Sequence, residues 1–504
     1  MMMDARTQPW RRRLLLVLAY QAPVSLALGL ALLLPLLFAA WEAQGLPAWL
    51  ETRSYLLPAL VCLAFGVAVR WRFGEVTWSL TGTESLLVTT AVWLTTGLIG
   101  AMPFVLLLAT PPVDALLESV SGFTTAGTTM LTGLDTMPTS IIVWRSLIQW
   151  LGGMGVLLIV LIVGRAQGSS ANSLLSAEGV KISSGRLSLN FAKAAVRFIQ
   201  IYVVLTLLQT ILTTLLGMSL FDSLSHAMTT VATGGFSPHD ESIAFYRNRP
   251  DIYPLYPAIE FVLSIFMLAG GTNFYVLYRL GKGQLAALWD GLEMRLLWLV
   301  VGGATLLAAW NAWSLLGGRL ADWLLRSFFE VASLVSTTGY EITATGTFPL
   351  EAKELFLLLM IIGGCAGSTA GGIKLIRLGI LGKFMAHEIR LLRSSPHTVH
   401  VPTIDGRPIS DGNFRQSIFI LLLWLVYLAV GGLIITLVAP HLAIADAYST
   451  VFTAIGVFGP SFIPVDQVIA LPIVAKVVFI IGMLAGRLEI IPLLVFFNLA
   501  AWRR

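Results

Sequence analysis

The chain has 504 residues, of which 57% are hydrophobic and only 12% charged, and its mean hydropathy is +0.83. Soluble domains carry roughly 45–50% apolar and about 25% charged residues, so this composition excludes soluble, disordered and fibrous proteins and indicates a membrane protein. The formal net charge is +5. Most of the 32 Lys and Arg residues fall on one side of the predicted spans, so the positive-inside rule places both termini in the cytoplasm. Cys62 and Cys365 lie far apart in apolar stretches, which excludes a disulfide scaffold.

A bilayer core about 30 Å thick needs about 20 apolar residues for each helical crossing. The first two such runs, at 14–40 and 55–69, form an opening pair. The first run is longer than a signal-peptide core, so we expect it to be retained as a span. Four further pairs of apolar runs follow, at 82–109 with 139–163, 198–217 with 256–279, 296–316 with 354–376, and 416–439 with 472–498.

Each of these four pairs encloses a short amphipathic segment that ends in a cluster of Thr and Gly. A glycine stands at the same offset in all four segments, which are Asp114–Gly127, Phe221–Gly234, Arg326–Gly339 and Asp446–Gly459. The segments are too short to cross a bilayer and lie between an outgoing and a returning run, so we expect them to be re-entrant. Backbone that leaves helical geometry at membrane depth is tolerated only where it is buried in protein or lines a water-filled cavity. Four such segments around one axis predict a pore.

This internal repetition sets the predicted fold. We expect an all-α polytopic membrane protein in which four M1–pore loop–M2 repeats surround a pseudo-fourfold pore, preceded by two extra transmembrane helices. The predicted units are an N-terminal two-helix pair at 1–76 and repeats at 77–197, 198–290, 291–393 and 394–504.

The turn that closes each segment carries oxygen atoms and almost no charge. The four turns lie at 124–128, 232–236, 336–340 and 457–460. Glycine adopts backbone angles that other residues resist, so carbonyl oxygens in such turns can replace the hydration shell of a monovalent cation. A divalent-ion site would need clustered carboxylates, which the turns lack. The alternative is that Thr and Gly only let helices pack closely, but four matched copies disfavour it.

Two acidic residues, Glu118 and Glu330, lie at the same distance before their glycines. A carboxylate within a membrane segment is a functional candidate by default. Because the turns already supply uncharged ligands, we favour a structural role, with each carboxylate bound to backbone behind its turn, over direct contact with an ion.

The returning run of the third pair contains the sequence GGCAGSTAGG at 363–372. Each interior glycine costs a helix roughly 1 kcal/mol relative to alanine, so this stretch predicts a broken helix or a flexible loop beneath the turns. A tightly packed helix crossing is the alternative. Lys374 lies at the inner end of the stretch.

One arginine, Arg487, interrupts the last apolar run and is followed by Glu489. A charge at the centre of a bilayer helix costs at least about 2.5–3.5 kcal/mol, so this side chain should face a pore or a partner. One hypothesis places Arg487 below the turns, where it forms part of a barrier to cations. The other is a salt bridge that holds two repeats together, with Glu489 or another acid.

Five stretches carry a resemblance to a known family, and together they extend over nearly the whole chain. They are SGFTTAGTT (121–129), RSLIQWLGGMG (145–155), HAMTTVATGGFSPHD (226–240), GGCAGSTAGGIK (363–374) and MLAGRLEIIPLLVFF (483–497). The chain resembles the potassium-translocating subunits of the Trk/Ktr/HKT superfamily, specifically the TrkH type, which has an extra helix pair before four M1–pore loop–M2 repeats.

The resemblance implies a potassium filter at and just before the four glycines and an intramembrane gate in the Gly-rich stretch. The filter residues would be Thr125, Ala126, Gly127, Ala232, Thr233, Gly234, Thr337, Thr338, Gly339, Val457, Phe458 and Gly459. The gate residues would be Gly363, Gly364, Gly367, Ser368, Gly371, Gly372 and Lys374, to which we add Arg487. Two turns depart from the family pattern: Ala126 stands where Thr is usual, and Val-Phe-Gly-Pro-Ser replaces Asn-Leu-Gly-Pro-Gly. These departures bear on the preference for potassium over sodium.

The resemblance also implies a homodimer in the bacterial cytoplasmic membrane, in contact with lipid and regulated by a cytosolic nucleotide-binding ring like TrkA. Potassium would be the bound ion, with no organic cofactor and no nucleic acid. The main alternative function is an ion-coupled secondary transporter, which usually shows broken helices in two corresponding halves and not four short breaks. A subunit of an ATP-driven pump, of the KdpA type, would need energy from another polypeptide. An intramembrane enzyme is disfavoured because the spans lack a nucleophile with its base or a metal-ligand cluster.

Overall fold

The computed structural model describes residues 9–39, 47–74, 80–164, 191–342, 348–393, 401–409, 411–459 and 461–503. The first half of this chain is built from helices α1 (Pro9–Ala31), α2 (Leu34–Ala39), α3 (Ala48–Phe73), α4 (Gly82–Gly100), α5 (Met102–Leu108), α6 (Pro112–Thr124), α7 (Thr139–Gly164), α8 (Phe191–Leu215), α9 (Leu220–Val231), α10 (Ala244–Arg247), α11 (Tyr256–Gly270) and α12 (Phe274–Gly281).

The second half continues with α13 (Leu292–Leu316), α14 (Leu320–Val335), α15 (Leu350–Leu359), α16 (Leu375–Leu391), α17 (Asp411–Val438), α18 (Ile444–Gly456), α19 (Val465–Ile469), α20 (Ile473–Leu488), α21 (Ile491–Phe497) and α22 (Leu499–Arg503). An antiparallel hairpin of β1 (Thr403–Ile404) and β2 (Arg407–Pro408) pairs Thr403 with Pro408 and is the two-stranded sheet among the described residues. The polypeptide is therefore helical almost throughout its described length.

Six helical stretches in the described residues are long and apolar enough to cross a bilayer, and two bent helix pairs would raise the number to eight. The long helices expose large apolar side chains: on α13, Leu299, Leu306, Leu307 and Trp310 are each between 61% and 70% accessible. Apolar surface of this extent is unfavourable in water but favourable against lipid tails.

The opening pair packs through small residues. A side chain at Gly29 of α1 would run into Leu63 of α3, and a side chain at Gly66 of α3 would run into Leu26 of α1. Glycine at both positions lets the two backbones approach closely, which is the usual basis of helix association in lipid.

Two returning runs predicted as single spans are bent. The run at 256–279 turns by 112° between α11 and α12, and the run at 472–498 turns by 117° between α20 and α21. The first bend is fixed by Asn273, whose side chain accepts from the backbone N–H of Tyr275 and so starts a new helix. At the second bend, Glu489 and Ile490 both take positive φ angles, which end α20. Apolar content alone gave no sign of either bend.

Candidate functional site

Four short helices occupy the places where re-entrant segments were expected. They are α6, α9, α14 and α18, and each has an aspartate in its first turn, at Asp114, Asp222, Asp322 and Asp446. A carboxylate in the first turn is stabilised by the partly positive N-terminal end of the helix dipole. The opposite, partly negative end of each helix leads into its Thr/Gly turn.

The four turns share a pattern of two positive φ angles. In each, a residue with φ between 55° and 60° is followed two positions later by a glycine with φ between 78° and 82°. These pairs are Thr125 with Gly127, Thr233 with Gly235, Thr337 with Gly339, and Val457 with Gly459. We name residues 125–127, 233–235, 337–339 and 457–459 turns 1 to 4.

In turn 2 the positive φ angles fall one residue later than at the expected filter positions. Ala232, predicted as a filter position, ends α9 in right-handed helical geometry with φ −71°. Gly235, and not Gly234, has the positive φ of Gly127, Gly339 and Gly459. Equal segment length predicts Gly234 as the filter glycine, whereas the Thr-x-Gly pattern of turns 1 and 3 corresponds to Gly235.

The glycines of the four turns line one cavity of about 430 Å³. The turns touch one another around it: Thr128 donates to the carbonyl of Gly459 at 3.1 Å, and a side chain on Gly127 would meet the carbonyl of Gly234. A side chain on Gly235 would likewise meet the carbonyl of Thr338. The structure therefore brings the four predicted turns together, although Pro460 lies outside the described residues.

An ionisable cluster lies beside this cavity, in the loop after turn 2. The Nδ1 atom of His239 is 2.5 Å from Asp135, and its Nε2 atom is 3.5 Å from Asp222. Burial alone would lower the pKa of His239, but the two carboxylates raise it above the ordinary value. His239 thereby links the loop after turn 1 to the start of α9.

The two intramembrane glutamates bind backbone behind their turns. Glu118 is fully buried and accepts from the Met130 N–H at 2.6 Å and from Arg145 Nε at 2.8 Å. Glu330 accepts from the Ile342 N–H at 3.4 Å, at the same offset along the chain. Each carboxylate therefore holds the segment that leaves its turn, which is the structural role favoured from sequence.

The Gly-rich stretch is a non-helical loop between α15 and α16, as the sequence predicts. We call residues 363–374 the Gly-rich loop. Its Thr369 side chain donates to the carbonyls of Val231 at 2.9 Å and Gly270 at 3.0 Å, both in the second predicted repeat. Its Gly371 N–H donates to the Thr337 side chain of turn 3 at 2.8 Å. The loop thus lies directly against the ends of the short helices.

Arg487 joins this loop to a further helix. Its guanidinium donates to the carbonyl of Thr369 at 2.6 Å and to the carbonyl of Gly152 in α7 at 2.9 Å. Glu489, the acid suggested as its partner, forms an ion pair with Arg377. Lys374 donates to the carbonyl of Ala370 within the loop. Two buried basic side chains, Lys374 of the loop and Arg487 of α20, therefore donate hydrogen bonds to carbonyls of the loop.

A comparison with protein families matches residues 55–501 to the TrkH model, described as a cation transport protein. The chain belongs to the TrkH family. It is 31% identical over 434 residues to the Trk system potassium uptake protein TrkH of Halomonas elongata, covering 84% of this chain and 86% of that protein. It is 30% identical over 465 residues to the protein of the same name from Salmonella typhimurium, covering 90% and 92%.

The crystal structure of the potassium transporter TrkH from Vibrio parahaemolyticus superimposes with a TM-score of 0.82 at 25% identity, over 97% of this chain and 100% of that one. The expected TrkH resemblance and the all-α polytopic membrane fold are therefore confirmed. The unit boundaries at 76, 197, 290 and 393 remain predictions.

Within this TrkH-type fold, three further side chains support the turns. Gln149 of α7 donates to the Gly234 carbonyl at 2.7 Å and accepts from the Phe236 N–H at 3.0 Å. Thr369 contacts the Thr233 side chain at 3.3 Å. Tyr340 follows Gly339 and is fully buried. Gln149 gave a sequence signal as an amide within a predicted membrane span.

Proposed function

We propose that this chain carries potassium into the cell across the bacterial cytoplasmic membrane, through a channel-like pore. The observation that carries the proposal is the single cavity lined by Gly127, Gly235, Gly339 and Gly459. The relatives from Halomonas elongata and Salmonella typhimurium are named as potassium uptake proteins, which supports potassium as the ion.

The proposed filter consists of the backbone carbonyl oxygens of turns 1 to 4. The partly negative C-terminal ends of four short helices lead into these turns, and this polarity favours a cation in the cavity. Ala126 and Phe458 lack a side-chain oxygen, but their main-chain oxygens remain available. In turn 2 we assign the filter to Thr233, Gly234 and Gly235, in place of Ala232, because the backbone conformation of turn 2 matches the other three in that register.

The proposed gate is the Gly-rich loop with Arg487. The loop contains Gly363, Gly364, Gly367, Ser368, Gly371, Gly372 and Lys374. Two positive charges beneath a cation filter raise the energy of an ion leaving it. The loop contains several glycines, whose backbone accepts conformations that other residues resist, so its main chain can adopt a second conformation.

Further elements of the proposal follow from the family. We infer a homodimer in lipid with both termini in the cytoplasm, and regulation by a nucleotide-binding ring of the TrkA kind. Potassium is the bound ion, no organic cofactor or nucleic acid is required, and the chain is not an enzyme. The basic inner region around 377–415 is the proposed docking surface, of which residues 394–400 and 410 lie outside the described residues.

Reconstitution into liposomes tests the proposal. With potassium and sodium gradients imposed separately, we expect the reversal potential to follow the potassium gradient. A reversal potential that lies off the value for any single ion would instead indicate an ion-coupled secondary transporter. Absence of any potassium current from folded protein contradicts the proposal.

The gate is tested by two substitutions of one residue. Arg487→Gln removes the charge, and Arg487→Lys retains it. We expect tracer potassium uptake to rise about tenfold in the Gln variant, because each 1.4 kcal/mol removed from a barrier raises a rate about tenfold. The Lys variant should stay near the wild-type rate. Equal uptake by folded Gln variant and wild type would defeat the barrier role.

A further inference from the structure

Tyr340 connects two of the four turns. Its backbone belongs to the segment that leaves turn 3, where the Ser333 side chain donates to the Tyr340 carbonyl at 2.8 Å. Its hydroxyl reaches α9, the short helix before turn 2, and lies 2.5 Å from the Thr229 hydroxyl and 3.2 Å from the His226 carbonyl that it donates to. Tyr340 is thus held through its backbone by the third predicted repeat and through its hydroxyl by the second.

The hydroxyl partners of Tyr340 in turn hold the backbone of turn 2. The carbonyl of Thr229 accepts from the Gly234 N–H, and the carbonyl of Thr230 accepts from the Thr233 N–H, both at 2.8 Å. The Thr230 hydroxyl also donates to Tyr340 at 3.3 Å. A displacement of the tyrosine hydroxyl is therefore transmitted to the main chain of turn 2 through a path of hydrogen bonds that is fully buried.

The residue that directly follows the glycine of each turn differs among the turns. Thr128 follows Gly127 and bonds the carbonyl of Gly459, which connects turn 1 to turn 4. Phe236 follows Gly235, and its ring lies 4.2 Å from the Arg145 guanidinium. Among these three described positions, Tyr340 has the longest side chain with a hydrogen-bonding tip, and it joins turn 3 to the helix before turn 2.

We propose that Tyr340 is a positioning residue for ion selectivity, which fixes the spacing between turns 2 and 3. This inference rests on the proposed filter. Discrimination between potassium and sodium depends on how many carbonyl oxygens surround the ion and how far they can close around it. A buried hydroxyl that bridges two turns limits that closure without touching the ion.

The test compares Tyr340→Phe with wild type in the reconstituted system, using potassium and sodium gradients. The substitution removes one hydroxyl and keeps the ring. We expect the permeability ratio of potassium to sodium to fall about two- to tenfold. This is the factor that corresponds to the free energy of one buried hydrogen bond. The potassium current itself should remain.

Tyr427→Phe is the matched control, because the Tyr427 hydroxyl donates at 2.6 Å to the Val478 carbonyl and so joins α17 to α20, with no hydrogen bond to a short helix or a turn among the described residues. It should lower thermal stability as much as Tyr340→Phe does and leave the ratio unchanged. Thr229→Val provides a second route: alone, and combined with Tyr340→Phe, it should give the same ratio as Tyr340→Phe. The inference is wrong if Tyr340→Phe leaves the permeability ratio unchanged, or if Tyr427→Phe changes it equally. If wild-type protein itself does not select potassium over sodium, the proposed filter is wrong.

Discussion

Gly235 shows how a single residue determines the geometry of a turn. It occupies the left-handed region, and an added Cβ would meet the Thr338 carbonyl of the neighbouring turn. The lack of space for a side chain arises because the backbones of turns 2 and 3 are in contact at Gly235. The adjacent Gly234 has neither the positive φ nor that neighbour, although the sequence presents the two as equal.

We predict that Gly235→Ala impairs both stability and potassium uptake. A left-handed non-glycine residue costs about 1–2 kcal/mol, and overlap with a fixed carbonyl adds to this. The midpoint of thermal unfolding and tracer uptake by liposomes measure the effect. Gly302→Ala is the control, since a side chain at Gly302 of α13 meets open space. A Gly235→Ala variant that behaves like the Gly302→Ala control would refute the assigned register.

At the scale of elements, buried ion pairs hold the short helices against the long ones. Arg145 of α7 pairs with Glu118 of α6 at 2.8 Å. Lys476 of α20 pairs with Asp114 at the start of α6 at 2.6 Å, and both side chains are close to nine-tenths buried. Helix α6 is thus attached at its beginning to the fourth predicted repeat and further along to the long helix of its own repeat.

We predict that Lys476→Met destabilises the protein by about 3–5 kcal/mol, because it leaves the Asp114 charge buried and unpaired. Adding Asp114→Leu should recover most of this loss, since replacing both members of a buried pair by apolar residues is often neutral. Thermal unfolding of the single and double variants measures the effect. The exposed pair of Arg279 and Asp290 provides the control: Arg279→Gln should cost about 1 kcal/mol or less. Additive losses in the double variant would contradict the coupling.

At the scale of the whole molecule, the Gly-rich loop joins parts that are distant in sequence. Thr369 contacts the second predicted repeat, Gly371 contacts turn 3, and Arg487 extends the network to Gly152 of α7. Turns and loop are therefore parts of one hydrogen-bonded assembly. An ion bound in the proposed filter would stabilise that assembly as a unit.

We predict that potassium raises the thermal unfolding midpoint relative to choline at equal ionic strength. A ligand at one hundred times its dissociation constant stabilises the folded state by about 2.7 kcal/mol, provided that the unfolded chain does not bind it. Gly235→Ala should lose most of this increment, and Gly302→Ala should keep it. Equal midpoints in potassium and choline would show that the turns hold no potassium in the purified protein.

Hydropathy predicted long straight spans well, as with the run at 416–439, which corresponds to the helical span Gly412–Val438. It did not predict the sharp bends between α11 and α12 and between α20 and α21, which lie within runs that read as continuous. The bends depend on a capping side chain at Asn273 and on left-handed residues at 489 and 490. The average hydropathy of a run does not depend on the backbone conformation of individual residues, so it does not predict these bends.

The sequence by itself determined that this is a membrane protein of many helices, with four similar turns, a broken third returning run and a TrkH-type pattern. These features follow from the composition and pattern of individual segments, so they can be predicted without knowing how the segments pack together. Only the tertiary structure decided that Glu489 pairs with Arg377 and that Tyr340 reaches α9. Each of these is a contact between residues whose separation along the chain exceeds any local pattern, so it is set by packing, where backbones and charges must fit together.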